Sequence, residues 1–256
     1  MNYVGSKRRI VKNLVHFFPK HEIYLEPFLG GGSVFFYKQP SKFNIMNDIN
    51  SEVFDFFITI KENKENFLNE IENLLIHESL LKYYKNKEKT ILENALFFVF
   101  KNLFTYLGSG ETLRCSNHDV FLSKEKIKEK IKIFHEKLKN SIIMNKDFRE
   151  FFKSITMRHE SDYKRIFIYC DPPYLNSSKH YKVNWKQTDL IDLIEILKDF
   201  EKKESNFIIS EKESNEINEI AKEFNLNIIE VKKINYMSRK EVNEIILTNV
   251  KKNLLF

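Results

Sequence analysis

Short apolar runs, typical of buried strands, recur along the chain and are separated by segments with helical spacing. These runs are 23–28, 43–48, 141–144, 166–170, 207–209, 228–231 and 244–247. An amphipathic helix is predicted to begin near Thr188, between the fourth and fifth runs. Strands that alternate with helices predict a mostly parallel sheet. About a dozen residues without a helical pattern join the last two runs, so we predict an antiparallel pair at the C-terminal edge.

The segment 54–138 has a mainly helical pattern and interrupts the strands. Its last helix is amphipathic and basic, and Ser123 is in position to cap it. The turn Gly108-Ser109-Gly110 indicates a hairpin or loop within 104–119. We therefore predict an α/β fold with a sheet domain formed by 1–55 and 140–256 and a helical insertion at 56–139.

Composition adds little to the choice of function. The 42 Lys and Arg outweigh the 36 Asp and Glu among 256 residues, and the resulting charge of +6 alone favours a solvated surface over a polyanion partner. A 42% hydrophobic content supplies a core. Two cysteines, Cys115 and Cys170, exclude a disulfide scaffold or a multi-cysteine zinc site and fit a reducing cytoplasm. The pattern predicts neither a signal peptide nor a membrane-spanning segment.

The first two strands end at residues suited to a ligand that contains ribose. Gly30-Gly31-Gly32 lies between a strand and a helix start, where a backbone without side chains can approach a ligand closely. Asp48 ends the next strand and can accept hydrogen bonds from ribose hydroxyls. The third position after Gly32 is Phe35, so the dinucleotide pattern G-x-G-x-x-G is not met and a nicotinamide cofactor is not favoured.

A second group follows the strand at 166–170 and consists of Asp171-Pro172-Pro173-Tyr174. Two consecutive prolines hold the backbone rigid and have no N–H groups. The segment presents an acid, backbone carbonyls and an aromatic ring together at the end of a strand. Asp171 and the Pro172 carbonyl can accept hydrogen bonds from a planar amine while Tyr174 stacks on its ring.

Six segments resemble, in order, the motifs of the Dam-type DNA adenine-N6 methyltransferases, also called the D12 or alpha class. They are 3–7, 26–33, 47–50, 146–148, 171–174 and 238–244. The resemblance implies a Rossmann-like S-adenosylmethionine-dependent methyltransferase sheet, with 56–139 as the target-recognition subdomain. It also implies methyl transfer to N6 of an adenine flipped out of duplex DNA, with S-adenosylhomocysteine as the product and no metal.

The resemblance assigns roles to individual residues. The expected cofactor-binding residues are Tyr3, Lys7, Phe28, Gly30, Gly32, Asp48, Asp147, Phe148 and Asp171. Lys7 would pair with the cofactor carboxylate, Asp48 would hold the ribose, and Asp147 with Phe148 would face the adenine. The expected catalytic residues, which serve the target base, are Asp171, Pro172 and Tyr174.

Recognition of DNA falls to the insertion and to a C-terminal segment. The expected DNA-binding residues are Arg114, Asn117, His118, Lys124, Arg239 and Lys240. The first three follow the glycine turn, and Arg and Asn suit base edges, whereas the others suit phosphates. We expect double-stranded DNA as the partner, no membrane, and a monomer in the cytoplasm of a bacterium or a phage-infected host. A cognate restriction endonuclease is an open alternative, and GATC is a family-based guess for the site.

Two other functions stay open. Methylation of cytosine N4 or of an RNA base would use the same chemistry, but Asp rather than Asn before Pro172 and the position of the insertion argue against it. A catalytically silent DNA-binding protein of the same fold would have no reason to keep Asp171, Tyr174, Asp48 and Lys7.

Overall fold

The computed structural model describes residues 7, 10–85, 87–108, 110–113, 120–175, 185–234 and 241–250. The strands are β1 (Ile23–Glu26), β2 (Phe43–Asn47), β3 (Ser141–Met144), β4 (Ile166–Cys170), β5 (Asn206–Lys212), β6 (Asn227–Ile234) and β7 (Glu241–Thr248). The α-helices are α1 (Val11–Leu14), α2 (Ser33–Tyr37), α3 (Ser51–Glu62), α4 (Lys64–Asn73), α5 (Glu78–Lys85), α6 (Ile91–Phe104), α7 (Val120–Leu138), α8 (Phe148–Lys153), α9 (Gln187–Lys202) and α10 (Asn215–Glu223). Short 3₁₀ helices cover Val15–Phe17, Tyr106–Gly108 and Glu160–Arg165.

Within these described ranges, seven strands form one sheet in the order β3-β2-β1-β4-β5-β7-β6. Strands β1 to β5 are parallel, and β7 is antiparallel to both β5 and β6. The predicted mostly parallel sheet and the antiparallel pair at its C-terminal edge are therefore confirmed. Because parallel strands run the same way, β1 to β5 bring their carboxyl ends to one edge of the sheet.

Both faces of the sheet are covered, which explains the continuous apolar runs in its central strands. Phe167 and Tyr169 of β4 face a core shared with α1, α2, α3, α4, α6 and α7. Ile168 and Cys170 face the opposite core, which is shared with α8, α9 and α10. Cys170 is therefore a core residue, as its position at the end of a buried strand predicts.

Helices α3, α4, α6 and α7 share the first core with the sheet, whereas α5 packs in a separate cluster with part of α6. The proposed boundary after residue 55 falls inside α3, where the Phe56 ring lies 4.6 Å from that of Phe98 on α6, centroid to centroid. The division into two domains stays a prediction. Helix α7 begins at Val120 rather than at Ser123, so the predicted cap was wrong and Ser123 lies in the first turn.

The end of α6 leads into the predicted hairpin or loop, of which the structure describes residues 104–108 and 110–113. Thr105 and Leu113 form an antiparallel bridge, and the Tyr106 N–H donates to the Thr112 carbonyl at 2.9 Å. Gly110 adopts a φ of +74°, which favours glycine. None of the helices in the described ranges is long and apolar enough to cross a membrane.

Candidate active site

The glycine turn after β1 has a backbone shape that favours glycine. Gly30 and Gly32 adopt φ values of +50° and +68°. A Cβ atom on Gly32 would lie 2.6 Å from Cε2 of Phe36, which is closer than side-chain contacts allow. The turn therefore keeps its backbone open at the carboxyl edge of the sheet.

Asp48 joins this turn to the end of β2. One carboxylate oxygen accepts the Gly30 N–H at 2.7 Å, and the other accepts the Asn50 N–H at 2.9 Å. Burial raises the pKa of Asp48 to about 6, against the opposing effect of these two hydrogen bonds. The structure thus brings together the two residues predicted to shape the turn and to hold a ribose. Each oxygen has lone-pair capacity beyond its backbone bond.

Asn47 fixes the neighbouring loops, a role that the sequence interpretation missed. Its side-chain N–H group donates to the carbonyls of Pro27 at 3.1 Å and Lys146 at 2.9 Å, and its oxygen accepts the Lys146 N–H at 2.9 Å. The next residue, Asp147, caps α8 by accepting the Arg149 N–H at 2.9 Å. Asn47 therefore holds the predicted Asp147 and the glycine turn at the same edge.

An aromatic cluster lies beside these loops. The ring centroids of Phe28 and Phe148 are 5.7 Å apart, and the Trp185 ring lies 5.6 Å and 5.5 Å from them. The indole Nε1 of Trp185 is buried without a hydrogen-bond partner in the described part of the chain. Phe28 and Phe148 were both predicted to lie at the cofactor, whereas Trp185 was not assigned to it.

Lys7 links the residues expected to serve the target base. Its Nζ lies 2.8 Å from Oδ1 of Asp171 and 4.4 Å from the ring centroid of Tyr174, whose hydroxyl it also contacts. Glu244 Oε2 lies 3.6 Å from the same Nζ. Lys7 is only 4% exposed. Burial lowers its pKa, but the charge of Asp171, followed by those of Tyr169 and Glu244, raises the pKa above its ordinary value.

The structure therefore brings Lys7, which was predicted at the cofactor, together with Asp171 and Tyr174, which were predicted at the target base. The described partners of Lys7 are Asp171, Tyr174 and Glu244, and the pairing of Lys7 with a cofactor carboxylate stays a prediction. Pro172 follows Asp171 in the same rigid segment and is buried.

Three further buried acids surround this group, and the sequence interpretation gave none of them a role. Glu26 ends β1 and accepts the Tyr24 hydroxyl at 2.8 Å; burial raises its pKa to about 8. Glu211 lies in β5, and burial likewise raises its pKa to about 8. Glu244 lies in β7. The available signal was an acid inside or at the end of an apolar strand run.

The remaining predicted residues divide into two sets. Those outside the described ranges, which stay predictions, are Tyr3, Arg114, Asn117, His118, Arg239 and Lys240. Lys124 lies in α7, where its Nζ donates to the Glu72 carbonyl at 2.7 Å. It therefore contacts α4, and its role at DNA also stays a prediction.

The sheet order, the glycine turn with its acid, and the Asp-Pro-Pro-Tyr segment define a class of protein, the α/β methyltransferases that act on amino groups. The model of the D12 class N6 adenine-specific DNA methyltransferase family matches residues 3–237. The chain belongs to this family, which confirms the resemblance seen in its motifs. Family membership implies the use of S-adenosylmethionine and a DNA substrate.

Several relatives support this assignment. The Type II methyltransferase M1.LlaDCHI of Lactococcus lactis subsp. cremoris is 27% identical, over 96% of this chain and 93% of its own length. The Type II methyltransferase M.MjaIII of Methanocaldococcus jannaschii is 26% identical over 82% of each chain. The DNA adenine methylase of Escherichia coli (strain K12) is 24% identical, over 68% of this chain and 64% of its own.

Proposed function

We propose that this adenine-N6 DNA methyltransferase acts on an adenine flipped out of duplex DNA, with Asp171, Pro172 and Tyr174 as its catalytic residues. The observation that supports this most directly is the position of Asp171. It follows β4 next to the end of β1, so an amine bound at Asp171 would lie beside the glycine turn and Asp48. N6 cannot be reached inside a duplex, so the base must leave the stack.

The residues at the ends of β1, β2 and β3 fit S-adenosylmethionine. Gly30 and Gly32 leave their backbone open, and Asp48 can accept hydrogen bonds from ribose hydroxyls. Phe28 and Phe148 offer an apolar wall for an adenine ring. When bound, the cofactor supplies an electrophilic methyl group on a sulfonium.

The unpartnered Nε1 of Trp185 adds a buried donor to the same wall. Asp147 lies at the start of α8 beside that wall, and Tyr3 is proposed at the methionine part of the cofactor.

The target amine requires activation because its lone pair is conjugated with the adenine ring. In our proposal the Asp171 carboxylate and the Pro172 carbonyl accept the two N6 hydrogens, and Tyr174 stacks on the base. These bonds favour an amine-like nitrogen whose lone pair points to the methyl group. With the cofactor bound, N6 would form a bond to the methyl carbon as the bond from that carbon to sulfur breaks; N6 would then lose one proton to water, and S-adenosylhomocysteine would be left. The buried Cys170 thiol, whose pKa burial raises, takes no part.

In the structure the Lys7 ammonium is paired with the Asp171 carboxylate. The N6 amino group must therefore share this carboxylate with Lys7 or displace Lys7 from it. Glu244 already lies 3.6 Å from Nζ and offers Lys7 an alternative partner. The proposed cofactor carboxylate is a second alternative. Lys7 can therefore give up one hydrogen bond to Asp171 while its charge stays compensated within the site.

Methylation of duplex DNA with isotopically labelled S-adenosylmethionine tests the proposal. We expect label in N6-methyladenine after digestion of the DNA to nucleosides. Asp171→Ala should abolish transfer, whereas Asp199→Ala, which removes an exposed acid from α9, should not. Absence of transfer to adenine N6 from a folded protein across DNA of varied sequence would contradict the proposal. Label in N4-methylcytosine, or on RNA alone, would support the alternatives instead.

We also propose residues 56–139 as the target-recognition subdomain. The bridge between Thr105 and Leu113 leads directly into Arg114, Asn117 and His118, which we propose as base contacts. Lys124, Arg239 and Lys240 are proposed at phosphates. Alanine variants of the first group should relax the sequence preference, whereas those of the second should weaken binding to all sequences equally.

Two of the relatives described above carry the name Type II methyltransferase, so we propose a cognate restriction endonuclease as a partner in function. Methylated DNA that resists digestion by an endonuclease encoded nearby would support this. We propose a monomer, which sedimentation would test.

A further inference from the structure

One buried hydrogen-bond donor beside the site has no partner. Trp185 is 9% exposed, and its indole Nε1 has no hydrogen-bond partner within the described ranges. A buried tryptophan N–H usually finds an acceptor, because burial without one costs free energy. A phenylalanine would supply an apolar ring at this position without that cost. The indole therefore carries a donor that packing alone does not explain.

The neighbours of Trp185 belong to the proposed cofactor site. Its ring centroid lies 5.6 Å from that of Phe28 and 5.5 Å from that of Phe148. Phe28 follows β1 and Phe148 begins α8 after β3, so both lie beside the end of β2, where Asp48 is. The planes of Trp185 and Phe28 differ by 89°. A contact between an N–H and a ring face is weaker than a hydrogen bond to a lone pair, so Phe28 does not replace an acceptor.

Helix α9 fixes the position of the indole. Trp185 lies two residues before this helix, and the Lys186 N–H donates to the Asp189 carboxylate in the first turn at 2.9 Å. Arg149 of α8 donates to the same carboxylate at 2.7 Å, and its guanidinium carbon lies 4.3 Å from the ring centroid of Phe148. The start of α9 is therefore tied to α8, which holds the indole beside Phe148.

An adenine ring offers the acceptor that this donor lacks. Its ring nitrogens N1, N3 and N7 carry lone pairs in the plane of the ring, whereas its exocyclic amine donates. Phe28 and Phe148 are apolar surfaces suited to a flat heterocycle, and Asp48 is proposed for the ribose attached to it. Asp147 at the start of α8 is an acceptor and therefore suits the amine. The donor in the same cluster suits a ring nitrogen.

We infer that Trp185 is a cofactor-binding residue that donates its Nε1–H to a ring nitrogen of the adenine of S-adenosylmethionine. This inference rests on the proposed cofactor site and not on the proposed target base. The hydrogen bond satisfies a buried donor and a buried acceptor together. Removal of either partner should therefore weaken binding, and removal of both should cost little more than removal of one.

Two changes to the protein remove the donor, and three ligands each remove one acceptor. Trp185→Phe keeps an aromatic ring, whereas 3-benzothienylalanine in place of Trp185, the one tryptophan of the chain, keeps the shape of the indole with sulfur instead of N–H. Tyr163→Phe is the control, because it removes a polar group from an aromatic residue of the same core at the opposite end of β4. Calorimetry without DNA measures the binding of S-adenosylhomocysteine and of its deaza analogues, in which CH replaces N1, N3 or N7.

We expect both changes at Trp185 to weaken the binding of S-adenosylhomocysteine by about five- to tenfold, and Tyr163→Phe to leave it unchanged. The parent should bind at least one deaza analogue more weakly by a similar factor, and the two proteins without the donor should not distinguish that analogue from S-adenosylhomocysteine. An analogue effect of equal size in all proteins would overturn the inference. Parental affinity in the benzothienyl protein would also overturn it, even if Trp185→Phe binds more weakly, because a packing role requires only the ring.

The single indole also gives a direct spectroscopic readout. With its nitrogen isotopically labelled, the parent has one indole N–H resonance, which should move downfield when S-adenosylhomocysteine saturates the protein. The shift should be smaller with the analogue that calorimetry identifies. An indole resonance that does not move at saturation, or a folded parent that does not bind S-adenosylhomocysteine, would overturn the inference. A parent that binds S-adenosylhomocysteine but transfers no methyl group to adenine would refute only the proposed function.

Discussion

The ion pair between Lys7 and Asp171 connects the stability of the site to its chemistry, and Asp171→Asn tests both. Nζ lies 2.8 Å from Oδ1, and the lysine is almost fully buried. Removal of one partner from a buried pair costs about 3–5 kcal/mol. Glu244, 3.6 Å from the same Nζ, still compensates part of the charge. We therefore expect the free energy of unfolding to fall by about 1–3 kcal/mol, below the full cost of an unpaired charge.

The same substitution should affect methyl transfer more strongly than stability. A hydrogen bond to a charged acceptor contributes about 1.5–3 kcal/mol, which corresponds to a rate factor of about 10 to 150. The side-chain amide that replaces the carboxylate can also turn an N–H group toward N6, which has hydrogens of its own. We expect kcat to fall by about 10²- to 10³-fold, with little change in the affinity for S-adenosylmethionine.

A double variant, Asp171→Asn with Lys7→Met, separates the two effects. Without the ammonium there is no buried cation to compensate, so the double variant should be more stable than Asp171→Asn alone. Methyl transfer in the double variant should be no faster than in Asp171→Asn because N6 still lacks its acceptor. Urea unfolding measures the free energies, and single-turnover transfer from labelled cofactor measures the rates. A double variant no more stable than the single one, or an Asp171→Asn rate within about tenfold of the parent, would refute this reasoning.

Three further predictions concern the glycine turn, a buried acid and the insertion. The pKa of Glu26 is raised from 4.5 to about 8 on folding, so its stabilising contribution is present below pH 4.5 and is lost as the pH rises to 8. This loss of the free energy of unfolding is about 1.4 kcal/mol per pH unit between pH 4.5 and pH 8, and Glu26→Gln should abolish it in urea unfolding. A free energy of unfolding that declines in parallel in both proteins would contradict this prediction. Gly32→Ala should lower the Tm and weaken the binding of S-adenosylmethionine, because the added Cβ would lie 2.6 Å from the Phe36 ring. Calorimetry measures both, and an unchanged Tm and affinity would contradict the predicted strain. If Lys124 leaves Glu72 to bind a phosphate, Lys124→Ala should reduce the slope of log K for binding to duplex DNA against log salt concentration by about 0.9. An unchanged slope would mean that Lys124 serves only the contact between α4 and α7.

The strands could be predicted from sequence because burial on both faces removes polar positions from a strand. The run at 166–170 in β4 is the clearest case, since all five residues are buried. The antiparallel character of the last pair followed from its short connection. The position of β7 between β5 and β6 could not be predicted, because a hairpin pattern does not specify which of its two strands joins the rest of the sheet.

The motifs identified most residues of the candidate site, but they did not show which of these residues hydrogen-bond to each other or balance each other's charge. Asp48 was predicted for a ribose, whereas its bond to the Gly30 N–H depends on the approach of two loops from different strands. Glu211 is similar: a charged residue that ends an apolar run is usually exposed, yet this carboxyl is buried. Such pairings depend on spatial neighbours that are distant in the chain.

Lys7 shows most clearly what spatial neighbours add to a motif. Near the start of the chain it lies in no apolar pattern, and a lone lysine is usually solvated. Lys7 can be buried with its charge because Glu244 on β7 and Asp171 in the segment after β4 compensate that charge. One ammonium that serves Asp171 and, in our proposal, the cofactor carboxylate must divide its hydrogen bonds between them. Cofactor binding would then weaken the hold of Lys7 on Asp171 and leave that carboxylate more available to the target amine.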